Sequence, residues 1–178
     1  MIISLRGTSG AGKSHVVHSL TRGLDAAQTL EKVGRRKPLG TVYFLPLGGF
    51  LMVPGHYQIA NGGVDTLRTL DEAYELIREW DERGCHVLYE GKNMSDRAVR
   101  ALELHREKRD VRVIVIDHPV NECVAAVRAR GHQISVSSIA STARKVENDA
   151  KLMEREQMRV QRLPRALAEK EVRQWLGL

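Results

Sequence analysis

The apolar positions fall into short runs separated by glycine and charge, and their spacing alternates between strand-like and helix-like periods. Ile2 to Leu5 is an apolar run bounded by glycine and reads as a buried strand. A helix is predicted from about Gly12 to Gly23, with Val16, Val17 and Leu20 turned to the sheet. Asp25 to Gly40 shows no period and reads as irregular. Thr41 to Leu45 and Phe50 to Val53 are apolar stretches joined by Pro46-Leu47-Gly48-Gly49, which suggests a hairpin or a sharp bend.

Past the glycine-containing stretch Pro54 to Thr66, Thr69 and Glu72 have the spacing of a capping box. Leu70, Tyr74, Ile77 and Trp80 continue at helical intervals, and Arg83-Gly84 forms the expected stop. His86 to Tyr89 is the next strand. Ser95 is positioned to cap a helix whose Val99 and Leu102 are expected to face inward. Val111 to Ile116 is the strongest strand, and Pro119 suits a first helical position for a helix running to about Arg130. From Ser138 to about Leu163, and again from Pro164 to Leu176, the pattern is helical and heavily charged. Strands alternating with helices predict an α/β, three-layer α/β/α fold with a mainly parallel sheet.

Composition adds bounds. The 178 residues suit one domain, and hydrophobic and charged fractions of 42% and 28% are those of a globular protein. No apolar run approaches the ~20 residues of a membrane-spanning helix, which argues against a membrane role. The start, Met1 to Gly7, runs directly into a motif, so no signal peptide is expected. Cys85 and Cys123 lie in apolar stretches without metal-ligand spacing and suit a reducing cytoplasm. A net charge of +6 favours a polyanionic partner, although nucleotide binding alone also collects Lys and Arg. No obligate protein partner is evident.

The chemistry begins at Gly7-Thr8-Ser9-Gly10-Ala11-Gly12-Lys13-Ser14, which matches G-x-x-x-x-G-K-[ST] in full between a predicted strand and a predicted helix. Glycines let successive backbone N–H groups curl toward phosphate oxygens, and the helix start adds its partial positive charge. Lys13 is expected on the β- and γ-phosphates of ATP and the Ser14 hydroxyl on Mg²⁺. A glycine-rich turn with a coincidental Gly-Lys-Ser would lack this strand-to-helix setting.

Further candidates follow from position. Glu90 ends a strand, where ligands of open α/β sheets collect; it could orient Mg²⁺ through water or touch the substrate. Asp117 has the same placement but reads first as a helix-start residue. Transfer to a hydroxyl needs a carboxylate base, and Asp65, after Gly62-Gly63, is preferred to Glu90 because Thr69 already caps the next helix. His56 and Tyr57 could contact the acceptor or simply pack. Arg128 and Arg130, before Gly131-His132, could ride on a mobile lid spanning about 128–145, or merely end a solvated helix; Arg144 and Lys145 are weaker candidates.

With these residues in place, the chain resembles P-loop kinases of the nucleotide and polynucleotide kinase superfamily. Val53-Pro-Gly-His-Tyr57, Gly62-Gly-Val-Asp-Thr66 and Val87-Leu-Tyr-Glu-Gly91 are similar to segments of a phage-encoded group within it, the 5-hydroxymethyluracil DNA kinases. The resemblance implies a helical lid, a host-cytoplasmic setting and a hydroxymethyl acceptor on a base presented from DNA, flipped out of the stack. It also implies that Arg35, Arg36 and Lys37 grip the DNA backbone. An aromatic content of 4% departs from the stacking-rich surfaces of many DNA binders. Competing readings are a kinase of a free nucleoside, nucleotide or other small metabolite, a polynucleotide 5′-hydroxyl kinase, and a nucleotide-dependent switch.

Overall fold

The computed structural model describes residues 1–57, 62–91 and 97–178. Seven strands form one sheet in the order β2-β3-β4-β5-β1-β6-β7. They are β1 (Ile2–Arg6), β2 (Ala26–Leu30), β3 (Gly40–Phe44), β4 (Phe50–Pro54), β5 (His86–Glu90), β6 (Val111–Asp117) and β7 (Arg159–Pro164). β1 lies at the centre, parallel to β5 and β6, and β4 and β7 continue the parallel set outward. β3 runs against both its neighbours, so the expected Thr41–Val53 hairpin forms at one edge.

Helices cover both faces. On one lie α2 (Leu70–Glu82) and α3 (Ala98–Arg106); on the other lie α1 (Lys13–Thr21), α4 (Val120–Arg128) and α6 (Arg165–Leu176). The period-2 alternation of β1 divides its side chains between the two layers. Ile3 and Leu5 pack with Val16, Val17 and Leu20 of α1, while Ile2 faces the cluster of Tyr74, Ile77 and Trp80 from α2. The remaining helix, α5 (Val136–Arg155), serves both layers: Ile139 joins the α1 side, and Val146, Ala150 and Met153 join the α2 side.

Local chemistry explains the boundaries. Thr69 Oγ1 accepts the backbone N–H of Glu72 at 3.0 Å, as the capping spacing predicts. The Glu72 carboxylate, however, accepts the N–H of Arg68 at 2.9 Å rather than closing the reciprocal box on Thr69. Pro119 takes the position just before α4 rather than inside it.

Three expectations are corrected. The stretch 25–40 contains β2, an exposed edge strand whose Ala-Ala-Gln-Thr-Leu has little strand propensity and no buried face to create a pattern. The charged stretch to Leu163 is not one helix: Arg155 ends α5 and β7 follows as the other edge strand. Val99 points to solvent, 60% exposed, because Ala98, Ala101, Leu102 and Leu104 form the inner face of α3. Ser95 lies outside the described residues.

Arg6, the last residue of β1, is fully buried. Its Nη2 donates to the Arg97 carbonyl at 3.1 Å, and its Nη1 lies 3.8 Å from the Asp149 carboxylate on α5. A charge so placed ties the strand that feeds the phosphate loop to the α2–α3 layer. Removing the buried guanidinium takes this cation from a largely buried carboxylate and a donor from the Arg97 carbonyl. Arg6→Leu is therefore expected to cost about 3 kcal/mol, measured as a lower denaturation midpoint at an unchanged denaturant slope.

Candidate active site

The carboxyl ends of β1 and β5 open on a cavity of about 540 Å³. Its floor is the phosphate loop: Thr8, Ser9, Gly10, Gly12, Lys13 and Ser14 line it, with Glu90, Asp65 and Gly62 on one wall. Gly7 and Ala11 complete the loop behind that surface. Gly7, Gly10 and Gly12 have φ of 148°, 88° and 92°, and these curl the backbone around the cavity. Gly10 has a second requirement, because a Cβ there would stand 2.3 Å from the Cys123 carbonyl oxygen of α4. Thr8 Oγ1 also donates to Cys123 Sγ at 3.2 Å, so the loop is braced from behind by α4.

The loop's charge pattern suits an anion. Gly12 gives α1 no side-chain cap, and the first turn holds no acidic residue, contrary to the usual helix start. The first-turn N–H groups are therefore left to a ligand. Lys13, 7% exposed, donates to the carbonyls of Gly7 at 2.8 Å and Thr8 at 3.0 Å, which holds its ammonium across the loop mouth.

Glu90 faces this cation from the end of β5. It is 3% exposed, and its Oε1 accepts the Ser14 hydroxyl at 2.8 Å. Gly63 is pressed against it, since a Cβ there would meet Glu90 Oε1 at 2.6 Å. The Gly62-Gly63 pair thus lets the substrate-side backbone close upon Glu90. Burial pushes the Glu90 carboxyl above its ordinary range and the Asp65 charge adds to this, while Lys13 and the Ser14 hydroxyl pull against it without reversing it. Asp65 sits in a short 3₁₀ turn, Val64–Thr66, exposed at the cavity rim. The two carboxylates therefore share a wall, one dry and one wet. Among the described residues no three His, Cys, Asp or Glu side chains form a metal-binding group. A Ser14 hydroxyl beside a Glu90 carboxylate is nevertheless a hard oxygen pair, of the kind that holds Mg²⁺ when phosphate oxygens and water complete the shell.

The other sequence candidates are placed as follows. Tyr57 stands behind the cavity, edge-on to His18 with ring centroids 5.7 Å apart. Burial drives its hydroxyl well above the usual tyrosine range, helped by the charges of Glu90 and Asp65. His56 donates its backbone N–H to Thr66 Oγ1 at 2.9 Å and so fixes the Asp65 turn. Arg130 lines the cavity, but Arg128 points away and donates to the Ile134 carbonyl at 3.2 Å, holding the bend between α4 and α5. Asp117, exposed at the end of β6, is outside the lining, as are Arg144 and Lys145. Arg35 is tied into the protein: it donates to Glu72 at 2.7 Å and to the Thr66 carbonyl at 3.0 Å. Arg36 and Lys37 are exposed.

Sequence reasoning missed His15, Gln133 and Arg165, all of which line the cavity. His15 was legible as the residue after the motif. Arg165 was not, because its place at the carboxyl end of the sheet follows from β7; its Cδ would lie 2.6 Å from a Cβ on Gly12. No helix among the described residues is long and apolar enough to cross a membrane.

The strand, phosphate loop and helix at the centre of a mainly parallel sheet define a P-loop kinase fold. No family model matches the chain. It is 37% identical over 133 residues to the "5-hmdU DNA kinase" of Pseudomonas phage PaMx11, a match covering 72% of this chain and 68% of that protein. The chain therefore belongs to the phage 5-hmdU DNA kinase family and is a phosphotransferase that takes a nucleotide substrate. Among solved structures it also aligns with a deoxyadenosine kinase from M. mycoides at 10% identity and a TM-score of 0.48, over 96% of this chain and 94% of that one.

A carboxyl group whose folded pKa is raised contributes stability below its unfolded pKa of about 4.3 and loses it as pH rises through the folded value. Glu90→Gln is therefore expected to raise the melting temperature at pH 8, by roughly 2–4 °C per kcal/mol relieved, with the gain shrinking toward pH 4. Thermal melts at the two pH values check this, alongside loss of turnover.

Proposed function

We propose that this chain transfers the γ-phosphoryl group of ATP to the hydroxymethyl group of 5-hydroxymethyluracil in phage DNA. The observation that carries the mechanism is the joint placement of Lys13, the Ser14–Glu90 pair and Asp65 around one cavity. The acceptor follows from the family, whose matched relative is named for that substrate.

In this reading the phosphate loop and the first turn of α1 hold the β- and γ-phosphates, with Lys13 neutralising charge that develops between them. Ser14 and Glu90 would hold Mg²⁺, which would supply further charge neutralisation. Asp65 accepts the proton of the hydroxymethyl group as its oxygen bonds to the γ-phosphorus; the bond to the β–γ bridging oxygen breaks and ADP leaves. Asp65, exposed at the cavity rim, can pass the proton on to water, whereas burial favours the protonated form of dry Glu90, which cannot accept one. Arg130, on the cavity's far wall, stabilises the transferring group, and Arg128 shapes the bend that carries it. The segment 128–145 then acts as the lid, anchored by the later part of α5, where Val146, Ala150 and Met153 are buried. Because the hydroxymethyl group of a stacked base cannot reach an enclosed phosphate, the base must leave the stack. Arg36 and Lys37 meet the DNA backbone, while Arg35 orients their loop.

The test is γ-labelled ATP with hydroxymethyluracil-containing DNA, unmodified DNA, and free nucleosides and nucleotides. Label is expected on the modified bases alone; label on the 5′ ends of unmodified DNA, or on a free nucleotide, overturns the acceptor assignment. Asp65→Asn is expected to lower kcat about 10²- to 10⁴-fold while the affinity for a non-hydrolysable ATP analogue stays within a factor of two. Arg36→Ala with Lys37→Ala should weaken DNA binding and flatten its logarithmic salt dependence by about two.

A further inference from the structure

We propose that the turn Lys32–Arg35 is a wedge: Val33 enters the DNA duplex and fills the place vacated by the everted acceptor base. This rests on the DNA-base reading above and adds the element that opens the duplex. The Arg35 N–H donates to the Lys32 carbonyl at 3.0 Å, and Gly34 has a φ of 78°, so the four residues form a tight turn with its third position left-handed. Val33 occupies the second position and is fully exposed, at 103%.

A lone exposed valine is ordinary on a protein surface. This one differs in how it is held. Both ends of its turn are bound to one carboxylate, with Lys32 Nζ at 3.2 Å from Glu72 Oε1 and Arg35 Nη1 at 2.7 Å from Glu72 Oε2. Lys32 is half exposed and holds weakly; Arg35, 7% exposed and bound also to the Thr66 carbonyl, is the firm attachment. Partial burial of Glu72 works against its ionisation, but the Arg68 N–H, Arg35 and Lys32 outweigh it and bring its pKa to about 2. The Glu72 carboxylate therefore stays ionised at every physiological pH. Thr66 adjoins Asp65, so the valine tip is carried at a fixed reach from the proposed base.

The surroundings specify the occupant. Arg36 and Lys37, exposed next to the tip, form no ion pair among the described residues and suit a polyanion. A single side chain offers far less than the ~800 Å² per partner of a stable protein interface. Inserted between base pairs, a small apolar side chain offsets part of the unstacking cost that eversion imposes.

The test compares transfer to one hydroxymethyluracil in a duplex with transfer to the same strand alone. Val33→Ala is expected to reduce kcat/KM on the duplex about tenfold and Val33→Asp further, with single-strand values within twofold and Val33→Leu near the parent. 2-Aminopurine beside the target should brighten on binding the parent and not the Ala variant, and melting temperatures should be unchanged at so exposed a site. Equal losses on both substrates, no loss on the duplex, or a parent that labels only single strands overturns the wedge. A Val33→Asp variant of altered oligomeric state overturns it in favour of a contact between copies. A parent that labels neither DNA refutes the acceptor assignment and the wedge with it.

Discussion

The site depends on one carboxylate kept almost dry beside a lysine and a serine. Glu90 is driven toward protonation by its burial and is held by Ser14 and by the Lys13 charge, at a position the surrounding backbone cannot leave. Gly63 presses on it from the substrate side, and β5, paired to β1, fixes it from below. Burial thus works against the charge of Glu90 while Lys13 and Ser14 work for it, which is the environment the proposed cation site would exploit. Instability is thus placed where binding can relieve it.

The fold serves this arrangement by bracing the phosphate loop from three sides. Gly10 lies against the Cys123 carbonyl of α4, Arg165 at the start of α6 rests over Gly12, and Arg6 connects β1 to the opposite layer through Arg97 and Asp149. The loop backbone is therefore shaped before any phosphate arrives, which is the condition for backbone dipoles to act without reorganising.

The same end of the sheet gathers the acceptor side. The Asp65 turn is fastened by His56 and Arg35, and Arg35 belongs to the basic loop between β2 and β3. One guanidinium therefore joins this basic loop to the segment that carries the proposed base. In the proposed reaction that connection would let one continuous surface both position and extract an acceptor embedded in a polymer.

The sequence by itself determined the parts whose chemistry is local: the phosphate loop with its flanking strand and helix, the Thr69 cap, and the strongly apolar strands β1, β5 and β6. Each is set by near neighbours, through glycine torsions, an N-cap or an unbroken apolar run. The tertiary structure alone decided the edges and the pairings. β2 and β7 are strands because a neighbour offers a free ladder; β2 has no buried face to create a pattern, and Arg159 and Arg162 break the pattern of β7, as charges at sheet edges do. Arg35 and Arg128 looked like ligand-facing cations, yet each is bonded within the protein, because a guanidinium near a carboxylate or an open carbonyl pairs with it first. Arg165 joined the site through a strand that periodicity did not reveal. Spacing along a chain fixes which groups are available; packing between distant segments fixes which of them still face the cavity.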